Sequence, residues 1–288
     1  MSRIAVLGDL NLDVFVDEAR ELRPGAEVRG SVHVAAGGSA GTFARVAASF
    51  GASVVFLGAV GRDVGADILE RSLVDVGVES RLRRSEAPSG VVVAMRRGNE
   101  RSMICSRGAN DDLDAEWIGA HWPDAVDHLH VSGYALLAEG PRAAARRAIE
   151  LAAISGASVS LNPPPANLIE AFGVARFRAE LLGVRWLFPN EEEGRLLAGA
   201  SAAADIVRRL AEEYEAGAVT LGARGAIAWQ GEKVDRSRVE RALDVNPTGA
   251  GDAYAAGFVV ARLDGKPLDA VNRAASAAAS RYLGLRRA

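Results

Sequence analysis

Short runs of branched aliphatic residues, bounded by glycine or polar turns, alternate along the chain with longer Ala/Leu/Arg segments. In the longer segments the apolar positions recur at roughly helical spacing. The runs Ile4–Gly8, Val54–Gly58, His128–Ser132, Val159–Asn162, Trp186–Pro189 and Ala218–Gly222 predict buried strands. The segments Ser39–Phe50, Gly65–Val76, Gly140–Ile154 and Ala202–Glu215 predict helices, and two more, roughly Gly251–Leu263 and Leu268–Leu283, close the chain. Strands alternating with helices imply an α/β fold: a doubly wound, mostly parallel sheet with helices on both faces. The pattern reads as one domain over residues 1–288, with no internal repeat or linker. Val14–Val34 and Gly90–Ser106 break the rhythm with alternating polar positions. They predict β-ribbons forming one small sheet over the carboxyl edge of the main sheet, a lid; the plainer reading is a pair of surface hairpins.

Composition narrows the function classes. The net charge of −3 and the scattered basic residues leave no nucleic-acid footprint. A single cysteine, Cys105, rules out an internal disulfide and fits a reducing compartment. No stretch approaches the roughly 18 apolar residues of a membrane span, and Asp9 and Asp13 interrupt the first apolar run too early for a secretion signal. A cytoplasmic protein with neither a membrane nor a nucleic-acid partner is expected.

The most informative segment is Asn246-Pro247-Thr248-Gly249-Ala250-Gly251-Asp252-Ala253-Tyr254, a Gly-rich turn running into an Ala-rich helix. Small residues let backbone N–H groups converge at the helix N-terminus, which with the helix dipole makes an anion site. Asp252 falls in the first helical turn, where the dipole favours its ionised form even in an ordinary helix start. Lysine occurs only at Lys233 and Lys266, neither within a G-x-x-x-x-G-K-[ST] loop, so a P-loop NTPase is excluded. A protein-kinase lysine and H-R-D loop are also missing. Phosphates would have to be held by backbone N–H groups, magnesium and arginine.

Four further segments carry candidate chemistry. In Gly8-Asp9-Leu10-Asn11-Leu12-Asp13 the polar residues alternate, so Asp9, Asn11 and Asp13 share a face. Ligands of open α/β sheets bind outside the strands' carboxyl ends, where such a carboxylate can accept hydroxyl protons of a polyol. Gly37-Gly38-Ser39-Ala40-Gly41-Thr42 permits close backbone approach, with Ser39 able to cap a helix. Asn190 and Glu193 stand at N-x-x-E spacing, which is capping-box chemistry and also an acidic helix start able to organise magnesium through water. Leu221-Gly222-Ala223-Arg224-Gly225 reads as a tight turn between strands that can hold phosphates by its N–H groups. Cys105 lacks a His/Asp partner pattern, and His128 and His130 alternate on a strand as structural residues; neither predicts a nucleophile or a zinc site.

Together GDLNLD, GGSAGTFA, GAVGRDVGAD, SRGAN, LNPPP, PNEEE, TLGARG and NPTGAGDAYAAGF resemble, in order and over nearly the whole chain, the ribokinase-like (phosphofructokinase-B type) carbohydrate kinases. The resemblance implies a lid that closes over a sugar, ATP and Mg2+ as cofactors, and transfer of the γ-phosphoryl group to an alcohol. It implies Asp252 as general base and Gly249, Ala250 and Gly251 as anion hole. Asp13, Gly37, Gly38 and Thr42 fall at the sugar, Asn190 and Glu193 near magnesium, Thr220, Gly222 and Gly225 near ATP, and Asn272 on the adenine side. A homodimer paired through the exposed lid is a further expectation.

The chain departs from the family pattern at Thr42, where an Asn is usual, and at Asn246-Pro247, where Asp-Thr is usual. Loss of a carboxylate at Asn246 predicts weak or no potassium activation, with Arg286 or Arg287 as a speculative substitute charge. Arg101 and Arg107 lie six residues apart on one predicted lid strand, so either both face solvent or Arg107 reaches an acidic group of the substrate. Ribose, ketohexoses, keto-deoxy sugar acids and nucleosides all fit as acceptors. A catalytically weak sugar- or nucleotide-binding regulator is the alternative, while a nicotinamide oxidoreductase is excluded because the first strand leads into GDLNLD and not G-x-G-x-x-G.

Overall fold

The computed structural model describes residues 2–17, 25, 27, 29–97, 100–238 and 248–285. Strand β1 (Arg3–Leu7) leads through β2 (Asn11–Asp17) and β3 (Ser31–Gly37) to helix α1 (Ser39–Ser49). Then follow β4 (Ser53–Val60), α2 (Val64–Val74), β5 (Glu79–Arg84), β6 (Gly90–Arg97), β7 (Glu100–Ser106) and α3 (Ala115–His121). The middle of the chain holds β8 (His128–Ser132), α4 (Glu139–Ile154), β9 (Ser158–Asn162), α5 (Ala166–Phe172), α6 (Val174–Ala179) and β10 (Trp186–Leu187). Helices α7 (Glu191–Ala198) and α8 (Ala203–Glu213), strands β11 (Ala216–Thr220), β12 (Ala226–Gln230) and β13 (Lys233–Ser237), and helices α9 (Ala250–Leu263) and α10 (Leu268–Leu285) complete it.

The main sheet has nine strands in the order β13-β12-β11-β10-β9-β8-β1-β4-β5, parallel from β11 to β5 with β12 and β13 as an antiparallel edge. Because successive strand residues face opposite sides, β1 feeds two cores. Ala5 and Leu7 pack with Ala144 and Ala148 of α4 and Ile206 and Leu210 of α8. Ile4 and Val6 pack with Phe43 of α1, Leu69 of α2 and Phe258 of α9. Helices therefore cover both faces, as the strand–helix alternation predicts. Helices α9 and α10 approach closely at Gly257, where a Cβ would lie 2.7 Å from that of Ala278.

From β1 the sheet order runs to β4 on one side and to β8 on the other. Such a change of direction in strand order marks the place where α/β sheets bind ligands, outside the strands' carboxyl ends. Below it the two strand histidines are structural, as the sequence suggests. His128 bonds Ser158 and Ser160 at 2.7 Å, and its burial pushes its pKa down to about 3. His130 stacks on Phe43 at 3.6 Å and bonds Ser160.

The second sheet has four strands in the order β3-β2-β6-β7, with β2 and β6 parallel and the outer pairs antiparallel. It contains both predicted ribbons but is longer than predicted, reaching Asn11 at one end and Gly37 at the other. GDLNLD is therefore a corner and not an extension of the first strand. Gly8 (φ +149) turns the chain there, and a Cβ on it would lie 2.6 Å from the Ser132 Cβ. Register places Ala35, Asp13, Val92 and Cys105 side by side on one lid face, and Val34, Val14, Val93 and Ile104 on the other.

Candidate active site

The site grows from the crevice at β1 and β8. Asp9, just past β1, is buried and its carboxylate is filled by donors. Oδ1 accepts from Ser132 Oγ at 2.7 Å; Oδ2 accepts from the Ser39 amide at 2.9 Å and from Asn11 Nδ2 at 3.2 Å. Asn110, after β7, ties the lid's base to the same point. Its Oδ1 accepts from the Leu10 amide at 2.9 Å, and its Nδ2 donates to Asn11 Oδ1 at 2.8 Å. The ends of β2, β3 and β7 thus meet in one hydrogen-bonded chain.

Two glycines let β3 return into this cluster. Gly38 has φ +85, and a Cβ on it would overlap the Asp9 carbonyl; one on Gly37 would overlap the Asp13 carboxylate. Asp13 is therefore pressed against Gly37, on the face of this sheet that also carries Cys105. Thr42 is buried in α1 below, its hydroxyl 3.4 Å from Arg45 Nη2, and that guanidinium also donates to the Ala36 carbonyl at 2.9 Å.

Opposite lies the start of α9. Gly249 caps it in the left-handed region (φ +84) and supplies no side-chain hydrogen bond to the first-turn N–H groups. A Cβ at Gly251 would meet nothing within 4 Å, whereas one at Gly249 would lie 2.6 Å from the Tyr282 hydroxyl. This backbone cradle suits a phosphate. Beside it, Asp252 Oδ1 accepts from Ser39 Oγ at 2.7 Å and from Asn162 Nδ2 at 2.9 Å. Burial pushes the Asp252 carboxyl up to about 7, with nearby Asp9 adding to the rise and Ser39, Asn162 and Arg45 opposing it. The sequence expectation that the helix dipole keeps this group strongly ionised is corrected: desolvation outweighs the dipole.

On the far side of the crevice, Asn190 and Glu193 form a full capping box at the start of α7. Glu193 Oε2 accepts from the Asn190 amide at 2.8 Å and Oε1 from Asn190 Nδ2 at 2.6 Å. Burial, with Asp252 nearby, raises this carboxyl to about 8. With both oxygens held by Asn190, the arrangement fits a magnesium ion reached through water and not by direct ligation. Among the described residues no group of three or more His, Cys, Asp or Glu could hold a metal. Thr220 lies beside Asn190 through an isolated parallel bridge, and Gly222 (φ +59) has open space where a Cβ would be.

Three further candidates have close neighbours or partners within the protein. Gly225 faces inward, where a Cβ would overlap the Ser237 carbonyl. Asn272 is fully buried, accepting from Tyr254 Oη at 2.6 Å and donating to Asp235 Oδ2 at 2.7 Å, so it ties α10 to β13. Arg107 turns to Asp111, donating from Nε at 2.6 Å. Asn246, Pro247, Arg286 and Arg287 lie outside the described residues, as does the side chain of Arg101.

Ser132, Asn162 and Asn110 were given no role from the sequence, although Ser132 and Asn162 stand at the carboxyl ends of predicted strands; Asp9 was read as a candidate polyol acceptor, and its oxygens are instead taken by Ser132, Ser39 and Asn11. Tyr134, just past β8, was also missed: burial pushes its phenol pKa up, with Asp9, Asp252, Cys105 and Glu193 all contributing.

The sequence profile of the pfkB family carbohydrate kinases matches residues 1–284. The chain belongs to that family. The kinase is 26% identical to a ribokinase of Haemophilus influenzae over 96% of this chain and 90% of that protein. It is 28% identical to a fructokinase of Escherichia coli over 90% of this chain and 83% of that protein. The ribokinase of Arabidopsis thaliana, solved with ribose and ATP, superposes with a TM-score of 0.76 over 97% of this chain and 92% of that one at 24% identity. The protein is thus a carbohydrate kinase. Among its described residues no helix is long and apolar enough to cross a membrane.

Proposed function

We propose that this kinase transfers the γ-phosphoryl group of ATP to a hydroxyl of a sugar or sugar-like small molecule, with Asp252 as general base. The observation that carries the reading is a half-buried carboxyl, raised to about 7, in the first turn of α9. A group titrating near neutrality is well matched to proton transfer at physiological pH. The acceptor oxygen bonds to the γ-phosphorus as the bond from phosphorus to the bridging oxygen breaks. The hydroxyl proton passes to Asp252, and the electron pair leaves on ADP. Backbone N–H groups of Gly249, Ala250 and Gly251 stabilise charge on the transferring oxygens. Magnesium, when bound, would neutralise phosphate charge near Glu193 and Asn190, while Thr220 and Gly222 border the nucleotide.

Asp13, Gly37 and Gly38 are the proposed sugar side, under the lid. With Arg107 already paired to Asp111, the described groups there favour a neutral acceptor over a sugar acid. The lid's outer row of Val34, Val14, Val93 and Ile104 supports a homodimer through this face. ADP release would be followed across ribose, ketohexoses, keto-deoxy sugar acids and nucleosides, with Asp252→Asn as control. Turnover with a sugar that this variant loses supports the reading; nucleotide binding without turnover on any acceptor refutes it.

A further inference from the structure

Two helix N-termini converge on Asp252. Ser39 is the first residue of α1, and Asp252 lies in the first turn of α9. Ser39 Oγ and Asn162 Nδ2 both donate to one oxygen, Oδ1, at 2.7 and 2.9 Å. Oδ2 accepts no hydrogen bond among the described residues. We propose that Ser39 and Asn162 are positioning residues that pin Oδ1 of Asp252, so that Oδ2 is the atom that takes the proton of the acceptor hydroxyl. This rests on the assignment of Asp252 as base.

The side chains show the same preference from their own side. Asn162 is buried and its Oδ1 has no hydrogen-bond partner among the described residues. An unpaired buried acceptor is costly, and turning the amide over would bring that oxygen against the carboxylate of Asp252. The amide is oriented to serve Asp252 at the expense of its own acceptor. Ser39 is held independently, since its amide donates to Asp9 Oδ2. With both donors on one oxygen, rotation of the carboxyl is blocked.

The charged and titratable groups around Asp252 are Asp9 past β1, Arg45 on α1, Glu193 on α7 and Tyr134 past β8. None hydrogen-bonds Oδ2. Both donors favour the ionised carboxylate, so losing either raises its pKa. The acid limb of kcat/KM, which reports groups of the free enzyme, then moves to higher pH.

The experiment compares pH profiles of wild type, Ser39→Ala, Ser39→Thr and Asn162→Leu, with Asp252→Asn as control and binding of a nucleotide analogue as a check on folding. In Ser39→Ala and Asn162→Leu we expect the acid limb to move up by about one pH unit, giving roughly tenfold loss at pH 6.5 and recovery to within a few-fold at pH 9. Ser39→Thr, which keeps the hydroxyl, should hold the wild-type limb. Loss by the same factor at every pH, or an unmoved limb in Ser39→Ala, overturns the proposal; that variant carries the test if Asn162→Leu fails to fold. Near-normal turnover of Asp252→Asn would instead remove the base assignment, so the two failures are distinguishable.

Discussion

Asp252→Asn should make the protein more stable while stopping it from working. Asn keeps the shape of the carboxyl and an oxygen for Ser39 and Asn162 to reach, but it cannot ionise. The wild-type carboxyl titrates at about 7 in the fold and at about 4 in the unfolded chain. Its folded pKa is raised, so the folded state binds its proton more tightly than the unfolded state does. Above pH 7 both states are ionised, and the wild type carries the full cost of a desolvated charge. Below about pH 4 both are neutral and the cost vanishes. A gap of about three pH units, at 1.36 kcal/mol per unit, sets that cost at about 4 kcal/mol, an upper limit on what Asn can recover. Urea unfolding of both proteins from pH 5 to pH 8.5 isolates the residue apart from neighbours coupled to it, chiefly Glu193, because the remaining titrations cancel in the difference. The stability advantage of Asp252→Asn should grow from pH 5 to 7 and level off above, while phosphoryl transfer falls by about 10²–10⁴-fold. A stability difference that does not change with pH, or a variant no more stable than wild type at pH 8, would refute the argument that burial raises this group.

Other substitutions test other parts of the site. Gly38→Ala combines a backbone at φ +85 with overlap of the Asp9 carbonyl; it should destabilise by more than about 2 kcal/mol in chemical unfolding and abolish turnover. With Arg107 paired to Asp111, Arg107→Ala should change kcat/KM by the same factor for neutral and acidic sugars; a loss confined to acidic acceptors would show that the arginine leaves Asp111 to bind substrate. Val34 and Ile104 are 55% and 62% exposed on the lid's outer row; sedimentation should show a dimer that Ile104→Glu converts to monomer, and a monomeric wild type would exclude this interface.

The parallel strands were legible because burial on both faces demands unbroken aliphatic runs, as in Val54–Gly58. The edge strand β5 was not: Glu79-Ser80-Arg81-Leu82-Arg83-Arg84 is only partly covered, and its arginines hide the strand period. The predicted strand Trp186–Pro189 shortens to Trp186–Leu187, although Phe188 and Pro189 still hydrogen-bond Leu161 and Thr220 on the way to the helix start at Asn190. In the site, the anion cradle could be read from local residues because Gly249, Ala250 and Gly251 are adjacent. The groups that hold Asp252 could not, because Ser39 and Asn162 lie 213 and 90 residues away in sequence. Its pKa was equally hidden: the dipole follows from the helix start, but desolvation depends on everything packed around it.

The two aspartates of GDLNLD show how such a motif divides its work. Side-chain alternation puts Asp9 and Asp13 on the same face, and by sequence either can receive a sugar. The corner between β1 and β2, across residues 8–10, separates them. Asp9 stays with the main sheet, where donors from Ser132, Ser39 and Asn11 fill its oxygens; its carboxylate holds β8, α1 and the lid base together. Asp13 moves out on β2, where its carboxylate lies against Gly37. The same spacing thus yields one carboxylate that organises the crevice and one that faces the space under the lid. The first also contributes to raising the Asp252 pKa. Asp9 therefore acts on Asp252, the proposed base, in two ways, through the Ser39 amide it anchors and through its charge nearby.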